Sequence, residues 1–392
     1  MATEPTLRML PSAYKTGKVY SVVPINGDGD LSFARQSTST TINKDGLLQV
    51  INADTPRLNH IEGGCPSLLL EPARTNYVEF SERPLQWTYQ EFGSGSAGTL
   101  TFGETDLLDG TNAVKIDFPS DAEDVSIFFG SDTSDLTSRD CTISIYVKLV
   151  SVGNKNLQLK AGFSGIVNIN STEFTRVSVS GVKSSNEAFQ LKLNPSEGTS
   201  VGGFSIIVCH PQEEENFYAT SYIPTIGSKV VRLPESCFKD GLGSYINNSE
   251  GVLYADISAL ANVASGYYET GDRRISLNNF SSQNRVELGF TNVENEVIAL
   301  VSSSFVTITL YGQSQDILNG VKIALKYKQN DFALWINGVK VDSITTGNTP
   351  LGMNRVEFAN GNGNNLFYGN TNELRIYNSA LSDNELAELT SL

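Results

Sequence analysis

The sequence predicts an all-β protein in which an N-terminal extended arm precedes two β-sandwich domains, with one short helix near the C-terminal end. Three observations support this fold class: β-forming residues such as Val, Ile, Thr, Tyr and Phe are abundant, 34 glycines supply turns, and helical patterns are nearly absent. The 392 residues suffice for two or three domains, at roughly 150 residues for each domain. We place the arm at 1–75 and the two domains at 76–233 and 234–392.

The N-terminal arm does not have the pattern of a self-sufficient domain. Its short apolar stretches, at 19–25 and 47–51, are separated by polar and turn-rich segments. We therefore expect the arm to need a neighbour for order, either another protein, another subunit or the later domains of the same chain. The run 26–30 predicts a β-turn rather than a calcium loop, because Leu31 and Ser37 stand where an EF-hand loop needs Gly and Glu.

The middle domain shows the two-residue period of β-strands. Apolar and polar residues alternate over 143–149, and similar short runs follow at 157–160, 175–179, 189–193 and 204–209, each bounded by Gly, Asn, Ser or Pro. Short strands separated by turns at this spacing predict a sandwich or jelly roll.

The C-terminal domain carries the clearest local signals. Asn337-Gly338 lies between two alternating strands and predicts a hairpin with a type I′ turn, because both residues accept positive φ. A final strand is predicted at 373–377. Ser382 and Glu385 have the spacing of a capping box and predict the start of the helix.

The hairpin, final strand and closing helix, in this order, resemble a concanavalin A-like domain of the laminin G type. The resemblance implies a two-sheet sandwich of a kind that binds glycans or proteins, sometimes through calcium. No run of calcium ligands is visible in the sequence, so no motif supports calcium binding. We therefore expect no cofactor and assign no metal ligand.

Two phrases resemble sequences that recur in structural proteins of tailed bacteriophages. The first is Gly63–Asn76, and the second is Ala219–Thr225 with Gly227, Ser228, Val230 and Arg232; together they bracket the middle domain. The resemblance implies a virion protein of the fibre, head-decoration or tail-associated type, synthesised in the host cytoplasm and located on the virion surface. Other virion proteins would then hold the arm, and by analogy with phage fibres we expect a homo-oligomer, namely a trimer.

Charge and hydropathy exclude several classes of partner. A formal net charge of −15 argues against nucleic acid, which needs a clustered cationic face. No run approaches the ~20 apolar residues of a membrane span, so we expect no membrane insertion. The first residues lack the pattern of a signal peptide, which counts against a third reading, a secreted host lectin.

The four cysteines, at 65, 141, 209 and 237, lack zinc-site spacing, and buried free thiols are expected. A disulfide between Cys209 and Cys237 stays open from sequence alone.

The sequence gives little support for an enzyme. Only two histidines are present, and no motif supplies a nucleophile, so we assign no catalytic residue. Two acidic runs, at 121–124 and 213–215, have turn-like surroundings and predict solvated loops. The main alternative is a polysaccharide-degrading phage or bacterial surface enzyme, which a groove with two carboxylates roughly 5 to 10 Å apart would favour.

Glycan binding is the sharper expectation, because aromatic faces stack on sugars while amides and carboxylates bond to hydroxyls. The places with these ingredients are a tyrosine pair and an Asn-Gly loop, although a strand-end aromatic pair and a plain turn are the respective alternatives. The candidate ligand-binding residues are Tyr267, Tyr268, Asp272, Asn360, Asn362 and Asn364.

Four further aromatic residues leave two interpretations open. Trp335 could be a core residue or an exposed platform, and we favour the core. Trp87, Tyr89 and Phe92 could line a surface of the middle domain or fold into it.

Overall fold

The computed structural model describes residues 3–60, 64–96, 98–131, 138–262, 273–314 and 316–392. Almost all regular structure in these residues is β, which confirms the predicted all-β class. The exceptions are two single-turn 3-10 helices, Pro84–Gln86 and Pro195–Glu197, and the C-terminal helix α1, Asp383–Thr390.

The strands fall into three consecutive segments of the chain. The N-terminal segment contains β1 (Leu7–Met9), β2 (Tyr14–Lys15), β3 (Lys18–Val19), β4 (Leu31–Ala34), β5 (Ser39–Ile42), β6 (Leu48–Ile51), β7 (Arg57–Asn59), β8 (Ser67–Leu70) and β9 (Arg74–Asn76). The middle segment contains β10 (Thr88–Glu91), β11 (Thr99–Glu104), β12 (Ala113–Phe118), β13 (Val125–Phe128), β14 (Asp140–Leu149), β15 (Lys155–Lys160), β16 (Ser164–Ile169), β17 (Thr175–Val182), β18 (Gln190–Leu193) and β19 (Phe204–Glu215). The C-terminal segment contains β20 (Val230–Arg232), β21 (Ser236–Asp240), β22 (Glu250–Ala259), β23 (Arg273–Asn278), β24 (Arg285–Phe290), β25 (Glu296–Ser303), β26 (Val306–Gln313), β27 (Val321–Lys328), β28 (Asp331–Ile336), β29 (Val339–Ile344), β30 (Arg355–Glu357) and β31 (Gly369–Tyr377).

The middle segment forms a sandwich of two antiparallel sheets. One sheet has the order β10-β13-β18-β15-β16 and the other the order β11-β12-β19-β14-β17. The predicted alternation places Ile143, Ile145 and Val147 in the core between the sheets, where they contact residues of the opposite sheet such as Leu159 and Leu191. The sandwich expected from the strand spacing is confirmed.

The C-terminal segment forms a larger sandwich together with strands of the N-terminal segment. In the eight-stranded sheet, β31 pairs with β22, β1 and β8; in the nine-stranded sheet, β4 pairs with β21. Leu7, Leu31 and Leu68 are fully buried in the shared core. Of the three neighbours left open for the arm, the structure supplies the chain's own later strands, and docking on another protein stays a prediction.

The local C-terminal signals are confirmed. Asn337 and Gly338 have φ values of 47° and 83°, and they join β28 to β29 as a type I′ turn requires. The side chain of Ser382 caps α1, and Glu385 reaches back to the backbone N–H of Ser382. Trp335 is buried in the apolar cluster beneath α1, so it is a core residue, as favoured.

The prediction that 213–215 is a solvated loop is wrong. These residues end the long strand β19, and Glu213 and Glu214 are fully buried. Glu213 forms an ion pair with Lys183, and Glu214 accepts hydrogen bonds from the backbone N–H and hydroxyl of Thr220. Buried carboxylates persist where such partners exist, and these partners cannot be seen in the acidic run itself.

The cysteines carry free thiols. Cys141, Cys209 and Cys237 are buried and Cys65 is exposed. The disulfide left open between Cys209 and Cys237 is therefore not formed.

Candidate functional site

The two recurring phrases lie side by side. Strand β9, in the first phrase, pairs with β20, at the end of the second phrase, so that Asn76 faces Val230 and Arg74 faces Arg232. The amide of Asn76 also donates to the carbonyl oxygen of Ile223 over 2.8 Å. The phrases therefore form the junction between the two sandwiches.

A buried ionic cluster holds this junction together. Glu71 accepts from Arg57 Nη1 at 2.7 Å, is 2.8 Å from Arg232 Nη1, and accepts from the backbone N–H of Ser221 at 2.8 Å. Glu235 accepts from Arg35 at 2.7 Å and from Arg57. These charged side chains are almost completely enclosed, so the cluster is architecture rather than a ligand site.

For Glu71 and Arg57, the attraction between opposite charges outweighs the effect of burial on the pKa, whereas for Arg35 and Arg232 burial prevails and lowers the pKa. Burial alone would favour the neutral carboxyl, but Arg232, Arg57 and the hydrogen bonds from Ser221 hold the pKa of Glu71 well below its usual range. In the same way, burial opposes the charge of Arg57, whereas Glu235 and Glu71 raise its pKa above the usual value.

A groove of about 530 Å³ lies on the outer face of the eight-stranded sheet. Leu253 and Ala255 of β22 point into the core, so the alternating residues Tyr254 and Asp256 face outward. The same alternation turns Glu373, Arg375 and Tyr377 of β31 outward, while Thr3–Pro5 and α1 form the sides.

Two cross-strand rows make the floor of the groove. In one row Arg8, Arg375 and Tyr254 are neighbours on β1, β31 and β22. In the other row Glu373, Asp256 and Lys322 are neighbours on β31, β22 and β27.

Charge pairs fix the orientation of the groove side chains. Glu373 accepts from Arg8 Nε at 2.5 Å and from Arg375 Nη2 at 2.7 Å. The guanidinium of Arg375 also lies 5.3 Å from the ring centre of Tyr254 and donates to the hydroxyl of Tyr377 over 3.3 Å. Burial lowers the pKa of Arg375, but its bonds to Glu373 and Tyr377 prevail and raise it.

Asp256 is the carboxyl group of the groove lining whose pKa is raised. Burial raises the pKa of its carboxyl, and the nearby Glu373 adds to this, while Asn372, Lys322 and Arg375 act in the opposite sense. The amide of Asn372 donates to Asp256 Oδ1 over 3.0 Å. Burial and the two carboxylates also raise the pKa of Tyr254, whose hydroxyl therefore keeps its proton.

This lining offers donors and acceptors to a polyhydroxylated ligand. Arg375 and Lys322 donate, and Asp256 and Glu373 accept, while the buried ring of Tyr254 lies beneath Arg375. Convergent polar groups of this kind are typical of sugar-binding sites. The groove also contains a carboxylate pair, because Asp256 and Glu373 are directly opposite on neighbouring strands.

Three of the six predicted binding residues can be located in the structure, and these three, Asn360, Asn362 and Asn364, do not line the groove. Tyr267, Tyr268 and Asp272 fall outside the described residues. Asn360 accepts from the backbone N–H groups of Asn362 and Asn364 at 3.0 and 2.9 Å, so its side-chain oxygen stabilises the turn.

The Asn-Gly loop is not part of the groove. The backbone N–H of Gly361 donates to Glu287 of β24, in the nine-stranded sheet, whereas the groove lies on the eight-stranded sheet. Asn362 and Asn364 are exposed, and their binding to a glycan stays a prediction.

Sequence reasoning missed the groove although part of the signal was present. Residues 373–377 alternate between polar or aromatic and aliphatic side chains, which indicates an outer face rich in binding groups. The contribution of Arg8 had no such signal, because it depends on pairing between strands more than 360 residues apart.

No helix in the described part of the chain is long and apolar enough to cross a membrane. Within those same residues, no three His, Cys, Asp or Glu side chains converge in a way that could hold a metal ion.

Comparison with models of known protein families and with curated proteins gave no match. Solved structures that are similar include the CBM40 of a Ruminococcus gnavus IT-sialidase bound to α2,3-sialyllactose, with 16% identity, 37% of this chain and 84% of that chain covered, and a TM-score of 0.32. Another is domain 4 of AbnA, a GH43 extracellular arabinanase from Geobacillus stearothermophilus, in complex with arabinotriose. Its identity is 16%, the match covers 45% of this chain and 84% of that chain, and the TM-score is 0.30.

The tandem CBM22-1-CBM22-2 domain of Paenibacillus barcinonensis Xyn10C has 9% identity, covers 78% of this chain and 97% of its own, and has a TM-score of 0.26. At these identities and TM-scores, nothing about a site or a ligand is transferred from the three proteins to this chain.

Proposed function

We propose that this chain is a carbohydrate-binding structural protein of a tailed-phage virion, a fibre, head-decoration or tail-associated appendage on the virion surface, whose C-terminal sandwich contacts a host-surface glycan. The groove carries the binding part of this proposal: Arg375, Lys322, Asp256 and Glu373 present donors and acceptors on one open sheet face. The virion part rests on the resemblance of the two phrases at the junction.

The balance of charge in the groove favours a neutral glycan. At the floor, Glu373 is matched by Arg8 and Arg375, and Lys322 lies beside Asp256. The sides add three carboxylates, Glu4, Glu385 and Glu388, so an anionic ligand would be repelled. Hydroxyl groups can both donate to the carboxylates and accept from the cations, and neutral sugars supply both functions on adjacent carbons.

The binding claim is tested with the full chain on a glycan array and in host-cell adsorption. Lys322→Ala and Arg375→Gln should weaken binding roughly tenfold or more, since each removes a charged donor. Lys328→Ala is the matched control, because Lys328 ends the same strand and pairs with Glu250 outside the groove. Unchanged binding by both groove variants, with an unchanged melting temperature, would contradict the assignment.

The virion claim has a separate test. Immunogold labelling and mass spectrometry of purified particles should find the chain on the virion surface, and light scattering should show the proposed trimer. Absence of the chain from particles would remove the virion role without touching the glycan claim.

A polysaccharide-degrading enzyme remains the second candidate because Asp256 faces Glu373, and directly opposed side chains in antiparallel strands have Cβ atoms roughly 5 Å apart. Both oxygens of Glu373 are engaged by arginines, which favours binding over catalysis. Release of reducing ends from a bound polysaccharide, lost in Asp256→Asn, would decide for the enzyme.

A further inference from the structure

A further cavity lies in the middle sandwich, near the place where the chain enters it. Its volume is about 610 Å³, within the range of roughly 300 to 1,000 Å³ that is usual for small-molecule sites. Residues 82–86, which include the first 3-10 helix, line it together with Phe102 and Gly103 of β11 and with Thr111 and Asn112, which directly precede β12. We name this cavity the entry pocket.

The side chains that line the entry pocket are open to a ligand. Leu85 is 74% exposed and Phe102 is 41% exposed. The side chains of Arg83, Gln86 and Thr111 are exposed as well. The pocket therefore combines an accessible apolar surface with accessible hydrogen-bonding groups, which is the composition of a site for a partly apolar, partly polar molecule.

Buried partners fix the orientation of Glu82 at the edge of the entry pocket. Its Oε1 accepts from the hydroxyl of Tyr222 and lies 2.8 Å from Nδ1 of His210, and its Oε2 accepts from the amide of Asn112 over 3.0 Å. Tyr222 and His210 are fully buried. Because a carboxylate has roughly four acceptor sites, Oε2 keeps one site for a further donor.

The charges of the entry pocket define the class of ligand. Glu82 and Arg83 are the two charged residues of its lining, and they have opposite signs. A ligand of either net charge would be attracted by one of these residues and repelled by the other. Hydroxyl groups can donate to Glu82 and accept from Arg83 and Gln86, so the lining favours an uncharged ligand that carries hydroxyl groups.

The backbone of β11 sets the direction of the Phe102 ring. The pairing of β11 with β12 shifts its register between Phe102 and Glu104, and Gly103 between them has a φ of 89°, as a β-bulge requires. A bulge bends its strand and changes the direction in which a neighbouring side chain points. The exposed ring that results, close to hydrogen-bonding groups, suits the apolar C–H face of a sugar.

We propose that the entry pocket binds an uncharged sugar unit, at a site separate from the groove. The sugar ring stacks on Phe102, and its hydroxyl groups bond to Gln86, Arg83 and Thr111. The proposal goes beyond the function assigned to the groove, because the two cavities belong to different sandwiches and share no lining residue.

The test uses the full chain and saturation-transfer difference NMR titrations, which detect weak sugar binding. The ligands are neutral monosaccharides and disaccharides, a uronic acid and a free amino acid. Phe102→Ala should weaken binding of the neutral sugars roughly tenfold, because the stacking surface is lost. Gln86→Ala should weaken it about threefold, because one hydrogen bond is lost.

Two exposed residues outside the entry pocket supply matched controls. Phe305→Ala removes a ring that is 70% exposed on the larger sandwich, and Gln90→Ala removes an exposed amide on β10. Both variants should bind like the unchanged chain. A loss in Phe305→Ala equal to that in Phe102→Ala would show unspecific contact with aromatic rings and would refute the site.

The groove variants separate the two cavities. The double variant Lys322→Ala, Arg375→Gln should still bind neutral sugars, and adding Phe102→Ala to it should remove the binding that is left. The entry pocket is refuted if the double variant binds no neutral sugar, or if Phe102→Ala and Gln86→Ala bind like the unchanged chain at an unchanged melting temperature. Binding of only the uronic acid or the amino acid would overturn the proposal as well.

Discussion

Glu71 connects three segments of the chain through a single carboxylate. It belongs to the first recurring phrase, and it bonds to Arg57 of the N-terminal segment and to Ser221 and Arg232 of the second phrase. A buried network of paired charges contributes little net stability to the fold while all its members are present. Loss of one member, however, leaves the opposite charges buried and uncompensated.

Replacing this carboxylate should therefore strongly destabilise the fold. We expect Glu71→Gln to lower the free energy of unfolding by about 3–5 kcal/mol, because Arg57 and Arg232 then lose the buried carboxylate that they share. Urea unfolding at neutral pH measures the change, with Glu294→Gln, at an exposed position, as the control. A loss no larger than that of the control would show that the cluster does not hold the junction.

The contribution of Glu71 to the stability of the fold should depend on pH, in the direction that its lowered pKa sets. The folded state holds the pKa of Glu71 below its ordinary value of 4.5, so its stabilising effect is complete above that pH and is lost as the pH falls below it. The stability difference between the unchanged chain and Glu71→Gln should shrink as the pH is lowered from 6 to 3. A difference that stays constant over this range would contradict the pKa shift.

Asp256 should show the opposite sign. Burial raises the pKa of its carboxyl above the ordinary 3.8, so the folded state holds this proton more tightly and stability falls as the pH rises through the interval above 3.8. Asp256→Asn should gain stability relative to the unchanged chain as the pH rises from 3 to 7. The measurement is a pH series of urea midpoints, with the exposed Asp45→Asn as control.

For single residues, the sequence predicts roles that depend on neighbours a few positions away and misses roles that depend on partners distant in the chain. The capping pair Ser382 and Glu385 is three residues apart, so its pattern is visible in one turn. Glu213 and Lys183 are 30 residues apart, and nothing near either position indicates that they meet in the core.

The hairpin of β28 and β29 is the element whose geometry the sequence predicts best. Gly338 has φ of 83°, and a Cβ there would meet only ordinary contacts, the nearest at 3.7 Å. The cost of Gly338→Ala is therefore the backbone conformation alone, about 1 kcal/mol. Thermal unfolding should show this loss, while Gly153→Ala, where a Cβ would also meet only ordinary contacts and φ is not positive, should not; equal effects would contradict the turn assignment.

Strands of the N-terminal segment illustrate what the sequence could not predict. β1 is three residues long and is held in the sheet by antiparallel pairing with β31, in which Leu7 lies opposite Ile376. Short apolar stretches in a polar context indicate only that a neighbour is needed. The identity of that neighbour is set by contacts across the whole chain, and the groove, which includes Arg8, was hidden for the same reason.

For the whole molecule, removal of residues 1–34 should prevent normal folding. The deletion takes away β1 to β4, and with them the buried Leu7 and Leu31 that complete the larger core. Circular dichroism and thermal unfolding should show a chain that is aggregated or without a cooperative transition. A cooperative, soluble truncated protein would show that the arm only docks.

The same reasoning changes how glycan binding is best measured. A fragment of residues 240–392 lacks β1 to β4, β7 and β8, which belong to the two sheets of the larger sandwich. Loss of binding by such a fragment would report unfolding rather than the absence of a site. Point variants in the full chain avoid this ambiguity.

The pairing of β9 with β20 has one more consequence. The chain enters the middle sandwich and leaves it on adjacent strands, with Asn76 opposite Val230, so the two ends are about 5 Å apart. The middle sandwich is therefore an insertion within the larger one, and a short turn could replace it. We expect this arrangement to act as an exchangeable cassette: a different insert could replace the middle sandwich while the surrounding sandwich stays the same.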